Sequence, residues 1–274
     1  MLNKVEVTNK QGEILSLPMQ EGLDGYVIED ITGLDPVPAV LVSSGFADVD
    51  GEQFQASRRA KRNLMIKLGL EAALHRGGTV RDLRNHLYRF LMPKAEAKLR
   101  FYDTDGSYVD IVGKVEDFTA PLFTKDPEAT AVIVCHQPDF YIPEPVLISA
   151  MTTSDATEFF IDYEGTVDTG IILRVNPNRD MSGFTVAHRL SHGTIRTMEF
   201  TQPLSAGDQL TISTVSGAKG ANLYRAGSDT PILYGVTTQS SWITLEQGAN
   251  YIRVSAEGEP VPYSIEYTVK IGGL

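Results

Sequence analysis

The sequence predicts a mainly β protein in two parts. The first is a β domain with one amphipathic helix, and the second is an antiparallel β-sandwich. Three observations carry this. Apolar and polar residues alternate at period two in many short runs, separated by Gly, Asn and Asp turn signals. Only Thr79 to Leu91 has convincing helical spacing. From residue 146 onward, short strands and turns repeat with no helical period, as in a sandwich. Between the two patterns lies HQPDFYIPEP (136–145), with three prolines and no periodicity. It reads as a semi-rigid junction, giving domains of 1–140 and 141–274.

Taken in order, LNKVEV and EILSL form an opening hairpin around the Asn9 to Gly12 turn. YVIEDITG is a strand that breaks at Gly33. Pro36 and Pro38 forbid a helix and disfavour a central strand, so LDPVPA is an extended segment or edge. AVLVSSGF is a further strand, and Asp50-Gly51 is a hairpin turn. The cations Arg58, Arg59, Lys61 and Arg62 follow, then NLMIKLGLE, where Leu64, Ile66, Leu68 and Leu70 share one face. Arg76-Gly77-Gly78 ends that strand. Thr79 is an N-cap with Asp82 three residues on, and Val80, Leu83, Leu87 and Phe90/Leu91 define the apolar face of the helix that Pro93 stops. AKLRFYD, SYVDIVGKVEDF and ATAVIVC return to strands. The second part offers VLISA, TEFFIDYEG, TGIILRV, GTIRTMEF, DQLTISTV, WITL, NYIRVSA and YSIEYTVKI.

Composition narrows the function. With 274 residues, 42% hydrophobic and 22% charged, the chain has the balance of a globular protein with real cores. No apolar run approaches the ~18 residues of a membrane span, and MLNKVEVTNKQGEIL lacks the apolar stretch of a secretory signal. Cys135 is the only cysteine, which excludes an intrachain disulfide. A net charge of −11 is the opposite of what a sequence-specific DNA binder needs, and it suits a conduit that must not hold passing phosphates.

No reactive constellation emerges. His188 and His192 stand four apart, but FTVAHRLSHGTIRTMEF reads as strand and turn, so they are expected as polar loop histidines without a third ligand. His75, His86 and His136 are scattered. Asp48 to Glu52 begins like a calcium loop but lacks its later ligands, and a hairpin accounts for it better. Gly217 to Gly220 has neither the P-loop pattern nor a following helix. Cys135 reads as a small buried residue at a strand end. Trp242 is either a core or rim residue or a platform on which a sugar stacks. No catalytic residue, cofactor or metal is expected.

The run Arg62-Asn63-Leu64-x-Ile66-x-Leu68-x-Leu70 behind an extended segment and a D-G turn resembles the N-terminal domain of siphophage distal tail proteins. Gly207-Asp208-x-Leu210-x-Ile212, then Trp242, Leu245, Gly248, Asn250 and Ile252, and finally SIEYTVKIGGL, resemble the galectin-like or carbohydrate-module-like second domain of that family. The resemblance implies a structural protein of the virion tail tip, assembled in the host cytoplasm. It implies a homohexameric ring of N-terminal domains around a channel through which DNA passes. The ring stacks between tail tube protein and tail-tip hub protein, and side fibres or a receptor-binding protein attach outside in some relatives. Membrane insertion is not part of it. Within this reading, Arg58, Arg59, Lys61, Arg62, Pro36 and Pro38 are expected at the subunit interface. The alternatives are a carbohydrate-binding sandwich contacting cell-wall or capsular sugar, with Trp242 as its platform, and a hydrolase built on an acidic pair.

Overall fold

The computed structural model describes residues 2–19, 24–48, 50–74, 78–121 and 123–274. The chain divides into two compact units. One comprises residues 1–142 and 271–274, the other Pro143–Lys270. His75 and the Arg76-Gly77 break lie outside the described residues, as does Val49 next to the D-G turn.

The first unit is built on one antiparallel sheet. Its strands are β1 (Leu2–Thr8), β2 (Ile14–Pro18), β3 (Tyr26–Thr32), β6 (Arg62–Leu70), β7 (Glu96–Asp103), β8 (Tyr108–Thr119) and β9 (Glu128–Cys135), in the order β2-β1-β7-β8-β9-β6-β3. The short β10 (Phe140–Tyr141) pairs beside β8 and with β22 (Lys270–Ile271), where the chain re-enters this unit. A separate two-stranded ribbon, β4 (Ala39–Gly45) and β5 (Glu52–Arg59), leaves the sheet between β3 and β6.

Helix α1 (Val80–Leu91) covers the apolar face of the sheet. Thr79 and Asp82 cap it reciprocally, satisfying two backbone donors that a helix start would otherwise leave orphaned. Leu83, Leu87, Phe90 and Leu91 are buried against Val5, Leu64, Ile66, Leu99, Phe101 and Ile133. Tyr26 ties β3 to the helix, its hydroxyl lying 3.0 Å from the Leu83 carbonyl oxygen and 2.8 Å from His86 Nδ1.

β3 stops where it does for a steric reason. Gly33 has φ +90°, and a Cβ there would meet the Asn63 carbonyl oxygen at 2.0 Å. The break at Gly33 that the sequence predicts is therefore a close backbone approach as well as a turn.

The second unit is a sandwich of two antiparallel sheets. One holds β11 (Val146–Met151), β21 (Pro262–Tyr267), β13 (Thr169–Val175), β16 (Gln209–Ser213), β17 (Gly220–Arg225) and β18 (Ser228–Pro231) in that order, with β19 (Thr244–Leu245) beside β13. The other has the order β12 (Phe159–Tyr163), β20 (Gly248–Ser255), β14 (Phe184–Leu190), β15 (Ile195–Phe200). Ile161, Leu173, Val186, Phe200, Ile212 and Ile265 meet in its core. The mainly β class with one amphipathic helix is thus what the chain adopts.

Candidate functional site: an assembly surface

The expected interface cations separate sharply by position. Arg58 and Lys61 are exposed. Arg59, on the same ribbon, makes a two-pronged ion pair with Asp139, Nη2 to Oδ2 at 2.7 Å. That pair is itself partly exposed and contributes little in water.

Arg62 corrects the expectation. It is 1% exposed and belongs to the interior of its own unit. Its Nε donates to the Pro138 carbonyl at 2.6 Å, Nη1 to the Gly33 and Asp35 carbonyls, and Nη2 to the Gly272 carbonyl. The guanidinium carbon stands 4.4 Å from the centre of the Phe140 ring. Burial pulls its pKa down, with the neighbouring Cys135 opposing. The planar five-donor fork is what lets one side chain satisfy four carbonyls from three separate stretches of chain. Cys135 beside it is fully buried, and burial pushes its thiol up to about 11, against the pull of Arg62. That side chain is inert rather than nucleophilic.

Pro36 and Pro38 are exposed, but the segment that bears them is tied down. Arg62 holds the carbonyls on either side of Leu34, and Leu274 N–H donates to Leu34 O at 3.0 Å. The free arm is instead the ribbon that follows. In β4 and β5 almost every residue is exposed, including Val40 (40%), Leu41 (67%), Val42 (44%) and Phe54 (61%), with Phe46 (61%) in the loop that joins the strands. Register places Val40 opposite Arg58, Val42 opposite Ala56 and Ser43 opposite Phe54, so both faces carry apolar side chains. A lone two-stranded ribbon is marginal in water, and this one buries little of its own surface. Nothing in the residue types of AVLVSSGF marked it as uncovered; a short apolar run reads equally as a core strand.

In the second unit Trp242 is half buried against the sandwich core, and Lys219 Nζ stands 5.5 Å from its ring centre. His188 also departs from the expectation of a polar loop. It is fully buried on β14, with Nε2 3.0 Å from Asn250 Oδ1. That oxygen also accepts from Glu246 N–H, and Asn250 Nδ2 donates to the Glu246 and Gly248 carbonyls, so the amide orientation is fixed and Nε2 carries the proton. Burial lowers the His188 pKa, the Asn250 hydrogen bond opposing it; Arg196 and Glu246, which are ion-paired with each other, act with opposite sign. His192 is exposed.

Comparison with known proteins now bears on these surfaces. Residues 164–270 match the family described as siphovirus-type tail component, C-terminal domain. No protein in the curated collection matches the sequence. Among solved structures, the chain is similar to the SPP1 Dit (gp 19.1) protein, described as a paradigm of the hub adsorption apparatus in phages infecting Gram-positive bacteria. The TM-score is 0.67 at 16% identity, over 97% of this chain and 98% of that one. It is also similar to a chain of the phage P2 baseplate in its activated conformation with calcium, at TM-score 0.50 and 9% identity over the whole of both chains. At such identities the likeness is one of fold. The second unit is thus similar to the C-terminal domain of siphovirus-type tail components, and the fold along the chain is similar to that of the SPP1 Dit protein.

Proposed function

We propose that the protein forms the distal tail ring of a siphophage. Copies join through the first unit into a closed homohexamer at the virion tail tip, between tail tube and tail-tip hub, around a channel for DNA. The second units carry contacts to side fibres or a receptor-binding protein. The task is structural, without catalysis or a bound cofactor. One observation supports the ring above all: the β4–β5 ribbon, whose exposed Leu41, Val42 and Phe54 have no cover from their own chain. Apolar ribbons of this kind are buried in assemblies, and a neighbouring copy is the partner that repeats it around an axis. Arg58 and Lys61 stand at its base and would meet carboxylates, which the chain holds in excess, 35 against 24 Lys and Arg. The same acidic balance leaves DNA unheld in a channel. Sugar binding at Trp242 has no comparable support, since that ring is half buried against the sandwich core.

Negative-stain microscopy and mass photometry test this on the purified chain, alone and with tube and hub proteins. Rings are expected from the parent, and folded monomers from a variant with residues 41–57 replaced by a Gly-Ser turn. If the parent and its tail partners never yield a ring, the proposal falls.

A further inference from the structure

We propose that residues 272–274 are a strap that sets the β4–β5 ribbon for assembly. Closed on Arg62, the strap fixes the root of the ribbon. Open, it frees the segment that leads into β4. The consequence for assembly rests on the ring reading, whereas the hold on the root does not.

Among the described residues β4 and β5 pair as strands only with each other, so their direction is set at their root. On the β5 side that root is firm. Arg59 is paired with Asp139, and Arg62, three residues on, is buried and opens strand β6. On the β4 side, residues 33–38 belong to no strand. Pro36 and Pro38 have no backbone donor with which to tie the segment down. Its carbonyls are held from outside instead. Arg62 Nη1 donates to Gly33 O and Asp35 O, Leu274 N–H to Leu34 O at 3.0 Å, and Ala60 N–H to Pro38 O at 3.0 Å. One of these ties is the strap itself, and the two from Arg62 share their guanidinium with the strap, through Gly272 O.

The strap fits this segment by having no side chain. A Cβ at Gly273 would stand 2.7 Å from Pro36 Cδ, 2.8 Å from its nitrogen and 3.0 Å from Leu34 O. Gly272 and Gly273 bury no side chain, and Leu274 is 43% exposed, so backbone bonds hold the strap. Contacts of this kind open far below the free energy of global unfolding. Ile271, just ahead, packs against the core of the first unit, which ends the opening there. The chain passes between the units before Pro143 and after Lys270. The strands at these passages, β10 and β22, pair with each other, and both sides feed the Arg62 fork, through Pro138 O and Gly272 O. A partner that loads the second unit thus acts on the root of the ribbon through the chain itself.

The test compares the full chain with a chain ended at Ile271 and with Gly273→Val. Hydrogen exchange is read by mass spectrometry at the root, residues 33–35 and 59–63, and in the core, residues 64–70 and 83–91. Both variants should exchange at the root about tenfold faster than the parent, with the core unchanged. Leu274→Ala keeps the backbone and should match the parent. Where the parent forms rings, mass photometry should show that both variants need about tenfold more protein to do so. The proposal is overturned if root exchange is unchanged in either variant. It is overturned too if the core quickens alike, since residues 272–274 are then ordinary core, or if the root loosens while rings form at the parent's concentration. If the parent forms no ring, the ring reading falls, and exchange at the root still decides whether the strap holds it.

Discussion

The ribbon β4–β5 and the strand β6 are consecutive in the chain, yet they have opposite fates. AVLVSSG is the more continuously apolar of the two leading strands, and all of it but Ser44 is exposed. RNLMIKLGL carries two cations, and six of its residues are buried, Arg62 among them. Residue type does not decide between them. Phase and cover do: β6 lies between β3 and β9 under α1, whereas among the described residues the ribbon pairs as a strand only with itself. The pair teaches that a strand's apolar side is a demand for a partner, which the chain itself meets in one case and leaves open in the other.

Breaking that contrast at its strongest point means removing the buried cation. Arg62→Met keeps the volume but leaves the Gly33, Asp35, Pro138 and Gly272 carbonyls without their donor. The expected loss in denaturant unfolding of the first unit is more than about 3 kcal/mol. Charge reversal at Arg62 would therefore report on folding, not on assembly. An unchanged midpoint for Arg62→Met would show that water replaces the fork and that the site is not a stabilising one.

Two leucines compare the faces directly. Leu64→Ala, at a fully buried position, should cost about 2–5 kcal/mol. Leu41→Ala, 67% exposed, should stay within about 0.5 kcal/mol in dilute protein while weakening ring formation. Equal costs in dilute protein would mean that the ribbon's face is already covered.

Acid sharpens the comparison by distinguishing two kinds of buried polar group. Carbonyl partners of Arg62 do not titrate, so its contribution is unchanged between pH 7 and 5. His188 is held neutral, with its folded pKa below the ordinary 6.5. Its contribution is whole above that value and declines as pH falls toward the folded pKa, because the unfolded chain takes up the proton first. The second unit should lose up to about 1.4 kcal/mol per pH unit in this window, and His188→Gln should flatten the slope. A parent profile as flat as the variant's would mean that His188 is protonated at little cost.

The smallest effect is expected at Arg59, whose pairing with Asp139 is partly exposed. Arg59→Ala should change stability by less than about 1 kcal/mol, and the difference should shrink further in high salt.

Much of this architecture is legible in the residues. Period-two runs place the strands, and Thr79 with Asp82 places the start of the helix. The two misjudged side chains were legible too, by phase rather than by type. Arg62 stands two residues before Leu64, in step with Ile66 and Leu68, on the face that goes inside. His188 is in step with Phe184, Val186 and Leu190. A cation or imidazole read as surface by chemistry is core by position when the fold supplies carbonyls or an amide to receive it. The openness of the ribbon was not legible, since cover depends on elements far away in sequence.

The return of residues 271–274 to the first unit sets an order of events during synthesis. Arg62 is translated early, but one of its receiving carbonyls, that of Gly272, comes only after the whole second unit has been made. Leu34 likewise waits for Leu274. On the ribosome the first unit therefore remains open at its buried cation while the sandwich folds. A chain interrupted within the second unit never acquires these contacts, so the unit we assign to the ring is completed only in copies that already carry their sandwich.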